Sequence, residues 1–172
     1  MPRGLTVDGF PTEEELKKSP GYPSEERFKR GPVAVVECVQ EIPCNPCELA
    51  CPRKAIQVGV PITNLPRLDE EKCTGCGICV ARCPGLAIFV VDKTYSDKEA
   101  SVSFPYEYVP LPREGDVVLA VDRAGSVVCD GTVLRISNPK RNDRTAVVTI
   151  AVPKGMADEV RGIARIRGER IG

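Results

Sequence analysis

The sequence predicts an α+β protein, on three observations. Eight of its nine cysteines fall between residues 32 and 103, in two groups whose short spacings leave room only for short helices after the cysteine loops and for small β-hairpins. Residues 116–121, 126–137 and 145–152 are three β-rich runs, separated by turn signals at Arg123-Ala124-Gly125 and Asn138-Pro139-Lys140, which predicts a small antiparallel β-domain. Trp is absent and aromatics are only 5% of the chain, so the core must be aliphatic.

Three segments follow. Residues 1–31 contain Pro2, Pro11, Pro20 and Pro23 among mixed charges and read as an extended arm. Within it Thr12, with Glu15 three residues on, has the pattern of a capping box and predicts a turn or two of helix over residues 12–18. Residues 32–103 open with the run Val33, Ala34, Val35, Val36, a strand leading into the first cysteine loop. Residues 104–172 hold the β-domain and a basic tail, in which Met156, Val160, Ile163 and Ala164 stand at helical spacing and predict a final amphipathic helix over residues 154–171.

Charge and composition exclude several functions. Lys plus Arg equals Asp plus Glu at 24 each, which gives no overall electrostatic footprint for nucleic acid or an anionic membrane. Charge is nevertheless segregated: residues 135–172 carry nine basic and four acidic residues, and residues 32–103 seven and nine. The basic tail reads as a solvated face or as a docking surface for an acidic partner. With no His in the chain, imidazole metal ligands and His-based catalysis are excluded. No stretch reaches the length of a membrane span and the N-terminus lacks an apolar signal region, so a cytoplasmic protein is expected. In a reducing compartment, nine cysteines point to metal binding rather than disulfides.

The second cysteine group is Cys73, Cys76, Cys79 and Cys83 followed by Pro84, the C-x2-C-x2-C-x3-C-P run of a cluster-binding loop. Gly75 and Gly77 permit close approach of the backbone, and Pro84 sets Cys83 apart from its neighbours. In the first group, Cys38, Cys44, Cys47 and Cys51 followed by Pro52, the last spacings match but the first gap is wider. A shift of 32 positions superimposes Cys44, Cys47, Cys51, Pro52, Ala55, Ile56 and Val58 on Cys76, Cys79, Cys83, Pro84, Ala87, Ile88 and Val90, an internal duplication. Cys38 alone breaks the register, since Glu41 stands where Cys73 maps, so the first loop reads as having gained three residues, stiffened by Pro43 and Pro46. Were Cys38 turned outward, a 3Fe-4S cluster, or Glu37 or Glu41 as an oxygen donor, would be the alternative at that site. Zinc could use the same thiolates but requires neither the third cysteine nor the proline.

By this repeat, residues 33–92 resemble the bacterial-type two-cluster ferredoxin family, whose Cys-Pro-x-x-Ala-Ile segments are matched by CPRKAI and CPGLAI. The resemblance implies a ferredoxin-like domain with two 4Fe-4S clusters, one on Cys38, Cys44, Cys47 and Cys83 and the other on Cys73, Cys76, Cys79 and Cys51. A cubane closed by four thiolates moves electrons singly and activates no substrate, so the chain is not expected to be catalytic alone. The added arm, β-domain and tail give it the layout of iron-sulfur small subunits found with flavoprotein dehydrogenases, amino-acid and imino-acid dehydrogenases among them. That likeness implies a stable hetero-oligomer with FAD or FMN in the partner chain. This chain has no glycine-rich nucleotide loop. A free-standing ferredoxin and a structural metal-binding interaction protein are the alternatives. Cys129 reads as a core residue, and Tyr95, Tyr106 and Tyr108 as packing between domains.

Overall fold

The computed structural model describes residues 4–166. The β-branched run Val33–Val36 forms strand β1, buried on both faces, which is why it lacks a polar alternation. It pairs antiparallel with β4 (Ile88–Asp92), and β4 pairs with β5 (Glu99–Tyr106). In β5 Ala100, Val102, Phe104 and Tyr106 are buried while Ser101 and Ser103 lie partly open on the other face, a period-two pattern with one face on the core.

The three predicted β-rich runs become β6 (Val117–Val121), β7 (Val127–Ser137) and β8 (Ala146–Pro153). With β9 (Gly162–Ile163) they complete a seven-stranded antiparallel sheet of order β1-β4-β5-β8-β7-β6-β9. A two-stranded sheet, β2 (Ile56–Gln57) with β3 (Arg67–Leu68), stands apart. The division expected at residue 103 falls inside β5, whose ladders to β4 and β8 join the cysteine-rich part and the C-terminal strands in one sheet. One apolar core accordingly runs from Phe28 and Val33 through Val80, Phe104 and Ile150 to Val160 and Ile163.

Two expectations are corrected. The helix predicted from residue 154 is, among the described residues, a 3-10 turn at Lys154–Met156 followed by β9; residues 167–171 lie outside the described part. Gly155 and Gly162 weaken a helix there, and the free edge of β6 captures the segment instead: Arg161 N–H donates to Val121 O and Ala164 N–H to Leu119 O. The arm is not extended throughout but contains α1 (Leu5–Asp8), α2 (Glu13–Lys17) and α3 (Glu25–Phe28). At α2 the capping box is present, with Thr12 and Glu15 bonded reciprocally, and fully buried Leu16 and Phe28 pin the arm to the body.

Candidate metal centres

Each half of the duplication builds the same unit. Helix α4 (Pro46–Ala50) starts with proline in its first turn, where a missing N–H costs nothing, and carries buried Cys47; α5 (Ile78–Arg82) carries buried Cys79. Both helices end on the fourth cysteine of their group, Cys51 at φ −75°, ψ 109° and Cys83 at φ −78°, ψ 112°. Next, Lys54 (φ 51°) and Leu86 (φ 53°) take the same left-handed conformation although neither is glycine. This repeated turn brings Ala55 N–H to 3.2 Å from Cys51 Sγ and Ala87 N–H to 3.5 Å from Cys83 Sγ. Such N–H···S contacts favour a thiolate and tune a metal bound to it. The two cysteine helices thus occur within the motifs rather than after them.

The eight thiols sort into two cavities. Cys73, Cys76 and Cys79 line the first together with Cys51 from the other half. Cys38, Cys44 and Cys47 line the second together with Cys83. Among the described residues, no three His, Cys, Asp or Glu side chains converge closely enough to hold a single metal ion; the thiols surround space instead. Burial pushes the Cys47 thiol up to about 11, aided by the charges of Cys83 and Cys44. Burial raises Cys79 further, with Cys73, Cys76 and Cys51 adding to it, and raises Cys38 with help from Cys83 and Cys44. These thiols hold their protons at neutral pH until a cation displaces them, so metal loading releases protons. Cys129 lies half-buried in β7 and lines neither cavity.

The strand pairing revises the reading of the Cys38 loop. Val36 lies opposite Ile88 and Leu68 opposite Ile56, so Val36 and Leu68 are equivalent under the same shift of 32. Eight positions then separate Val36 from Cys44 and Leu68 from Cys76. The loops are equal in length; the first cysteine has moved three positions along its loop, and no residues were gained. Cys38 still faces the cavity of Cys44, Cys47 and Cys83. Glu37 is not a free oxygen donor, because both its carboxylate oxygens accept hydrogen bonds from Arg123 (2.7 and 2.6 Å), and Oε1 accepts another from Arg161 (2.6 Å). Burial would raise the Glu37 carboxyl, but these two guanidiniums outweigh it and hold the group below its ordinary range. Glu41 is exposed.

Two supports escape sequence reading. Arg27, in α3 of the arm, is buried and donates to four carbonyls: Glu70 O, Gly31 O, Pro32 O and, at 2.7 Å, Cys73 O. It clamps the loop of the second cysteine group from below. The Glu37–Arg123–Arg161 cluster, with side-chain exposures of 6%, 16% and 3%, ties the first cysteine loop to the C-terminal strands. Nothing in local pattern marks either, since the partners lie 46 and 124 positions away in sequence. Gly75 was legible: at φ +65° a Cβ there would lie 2.6 Å from Pro32 Cβ.

Residues 66–89, which span β3, the second cysteine group and the start of β4, match the family of 4Fe-4S binding domains. The chain carries a ferredoxin-like iron-sulfur domain. It is similar to the protein Pixie of Drosophila melanogaster, at 33% identity over 101 residues, 52% of this chain and 16% of Pixie. It is similar also to one of the subunits of the ion-translocating oxidoreductase complex of Methanosarcina acetivorans, at 51% identity over 47 residues, 27% of this chain and 17% of that protein. Translation initiation factor RLI1 of Chaetomium thermophilum is 30% identical over 105 residues, 55% of this chain and 17% of the factor. The chain thus spans about a sixth of the length of these relatives. No solved structure matches it. No helix among the described residues is long and apolar enough to cross a membrane.

Proposed function

We propose that this chain is an electron-transfer iron-sulfur subunit holding two 4Fe-4S clusters, one on Cys38, Cys44, Cys47 and Cys83 and one on Cys51, Cys73, Cys76 and Cys79. The observation that carries the reading is the crossed arrangement of thiols, in which each half of the duplication lends its fourth cysteine to the other's cavity. A cubane closed by four thiolates has no open position for substrate and changes charge by one electron, so two neighbouring cubanes form a relay. The donor in this reading is a flavoprotein dehydrogenase acting on an amino or imino acid, with its FAD or FMN in the partner chain, and the partners form a stable hetero-oligomer in the cytoplasm. Likeness to a component of an oxidoreductase complex supports the electron-transfer part of this reading.

Anaerobic purification with iron, sulfide, zinc and flavin counted is the test. The proposal expects about eight irons and eight sulfides per chain, reversible reduction of both clusters, and a flavin-bearing partner; zinc without sulfide overturns it. A second reading rests on the longer alignments to Pixie and RLI1, whose names speak of no electron transfer. In that reading the clusters hold a fold that binds a partner, and they stay in one oxidation state while the partner turns over.

A further inference from the structure

The two thiol cavities are built by a duplication, yet their surroundings are not duplicated. Beside the Cys38 cavity, Ile42, Leu49, Val60 and Ile62 are exposed, Leu49 at 79% and Val60 at 95%. They form one patch: Cys44 N–H donates to Ile62 O, and Gly59 N–H to Glu48 Oε2, which joins the cysteine loop and α4 to the segment after β2. The shift of 32 places Ala81 and Asp92 where Leu49 and Val60 stand, so the counterpart surface is small and polar. Clustered exposed apolar residues mark an interaction site, whereas scattered ones do not.

The segments that carry the patch are short of positive charge: residues 31–52 contain no Lys or Arg but include Glu41 and Glu48, and residues 55–66 carry no charge. Of the two basic residues between these stretches, Arg53 lines the other cavity, and Lys54 N–H donates to the carbonyl of Cys51, whose thiol lines that same cavity. The arm segment lining the Cys38 cavity, Leu5 to Pro11, contains Asp8 and no basic residue; of the acidic residues that follow it, Glu13 and Glu14 are paired with Lys17 and Lys18. The other cavity has Arg53 at its wall. The Cys38 cavity is also the roomier, about 310 Å³ against about 20 Å³, and opens between the arm and the cysteine loop.

We propose that the face of Ile42, Leu49, Val60 and Ile62 is where a redox protein with an apolar contact surface ringed by Lys and Arg docks to exchange electrons through the Cys38 cavity. The proposal rests on the electron-transfer reading above. An apolar centre holds the partner close, and Glu41 and Glu48 on the same segments steer it, which affects the rate of encounter more than the strength of the complex.

Cytochrome c, a small basic haem protein whose haem edge is ringed by lysines, is the probe. Its reduction by the dithionite-reduced, fully loaded chain is followed by stopped flow over a range of salt. The double variant L49S/V60S and the variant E41K are each expected to slow it by at least about threefold, and E41K to flatten the salt dependence. V127S, on the exposed face of β7, is expected to leave it unchanged, and iron per chain should equal wild type in all variants. Unchanged rates with reducible clusters overturn this surface alone, as does a wild-type dimer in sedimentation that L49S/V60S converts to monomer. Clusters that cannot be reversibly reduced overturn the electron-transfer reading itself.

Discussion

The two cysteine cavities share a backbone plan but are braced by differently arranged charges. Under the Cys73 loop lies Arg27, a buried cation whose donors go to carbonyls. Beside Cys38 lies Glu37, a buried carboxylate held between two arginines. Four carbonyls leave Arg27 with a bare full charge next to the loop, whereas Glu37 cancels one of its two arginines and the remaining positive charge is spread over a three-residue cluster. A positive charge favours the more reduced, more negative state of a neighbouring cluster. The duplicated turns at Lys54 and Leu86 fix where the sulfurs stand, and the unduplicated arm and C-terminal strands make the two environments differ.

The strongest challenge to this comparison removes one ligand from each side. Cys76→Ala and Cys44→Ala should each lower iron from about eight to about four per chain, and each should lower thermal stability by melting its own loop; iron analysis with EPR of the reduced protein reads both. Next comes Arg27→Met, which leaves buried carbonyls without donors. We expect a loss of about 1–3 kcal/mol for each carbonyl left buried and unpaired in chemical denaturation, together with a more negative potential for the Cys73 cluster and no change at the other. Arg27→Lys should restore the potential but only part of the stability, a split that a purely structural role does not produce. Gly75→Ala forces a Cβ against Pro32 at positive φ and should cost about 1–3 kcal/mol, selectively slowing reconstitution of the Cys73 side with iron and sulfide. The mildest change is the double substitution C38S/E41C. Because the two loops are equal in length, it should move the thiol to the position equivalent to Cys73 and keep about eight irons per chain, while C38S alone drops to fewer.

Much of this was legible in sequence because the chemistry is local. Cysteine spacing, Pro84, the strand at residues 33–36 and the Thr12–Glu15 capping box each depend on neighbours within a few positions, and each forms. The 32-residue repeat was visible too, but the equivalence of Val36 and Leu68 was not, since it emerges only from which strand each one pairs with. The final helix failed for the opposite reason. Val160 and Ile163 are buried, as their spacing implied, yet a vacant strand edge at β6 offered backbone hydrogen bonds that a helix with two glycines could not match. Arg27 and Arg161 read as ordinary surface charges until burial and their distant partners give them a role.

The crossed thiols have a consequence for the newly made chain. As the polypeptide emerges from the ribosome, the first group of four cysteines is complete at Cys51, yet neither cavity is. One is finished only when Cys79 appears and the other only at Cys83, four residues later. In the two-cluster reading proposed above, cluster insertion therefore has no early half-way product to protect: the nascent chain presents open thiols for most of the segment and then completes both cavities almost at once, just before β4 arrives to close the sheet over β1.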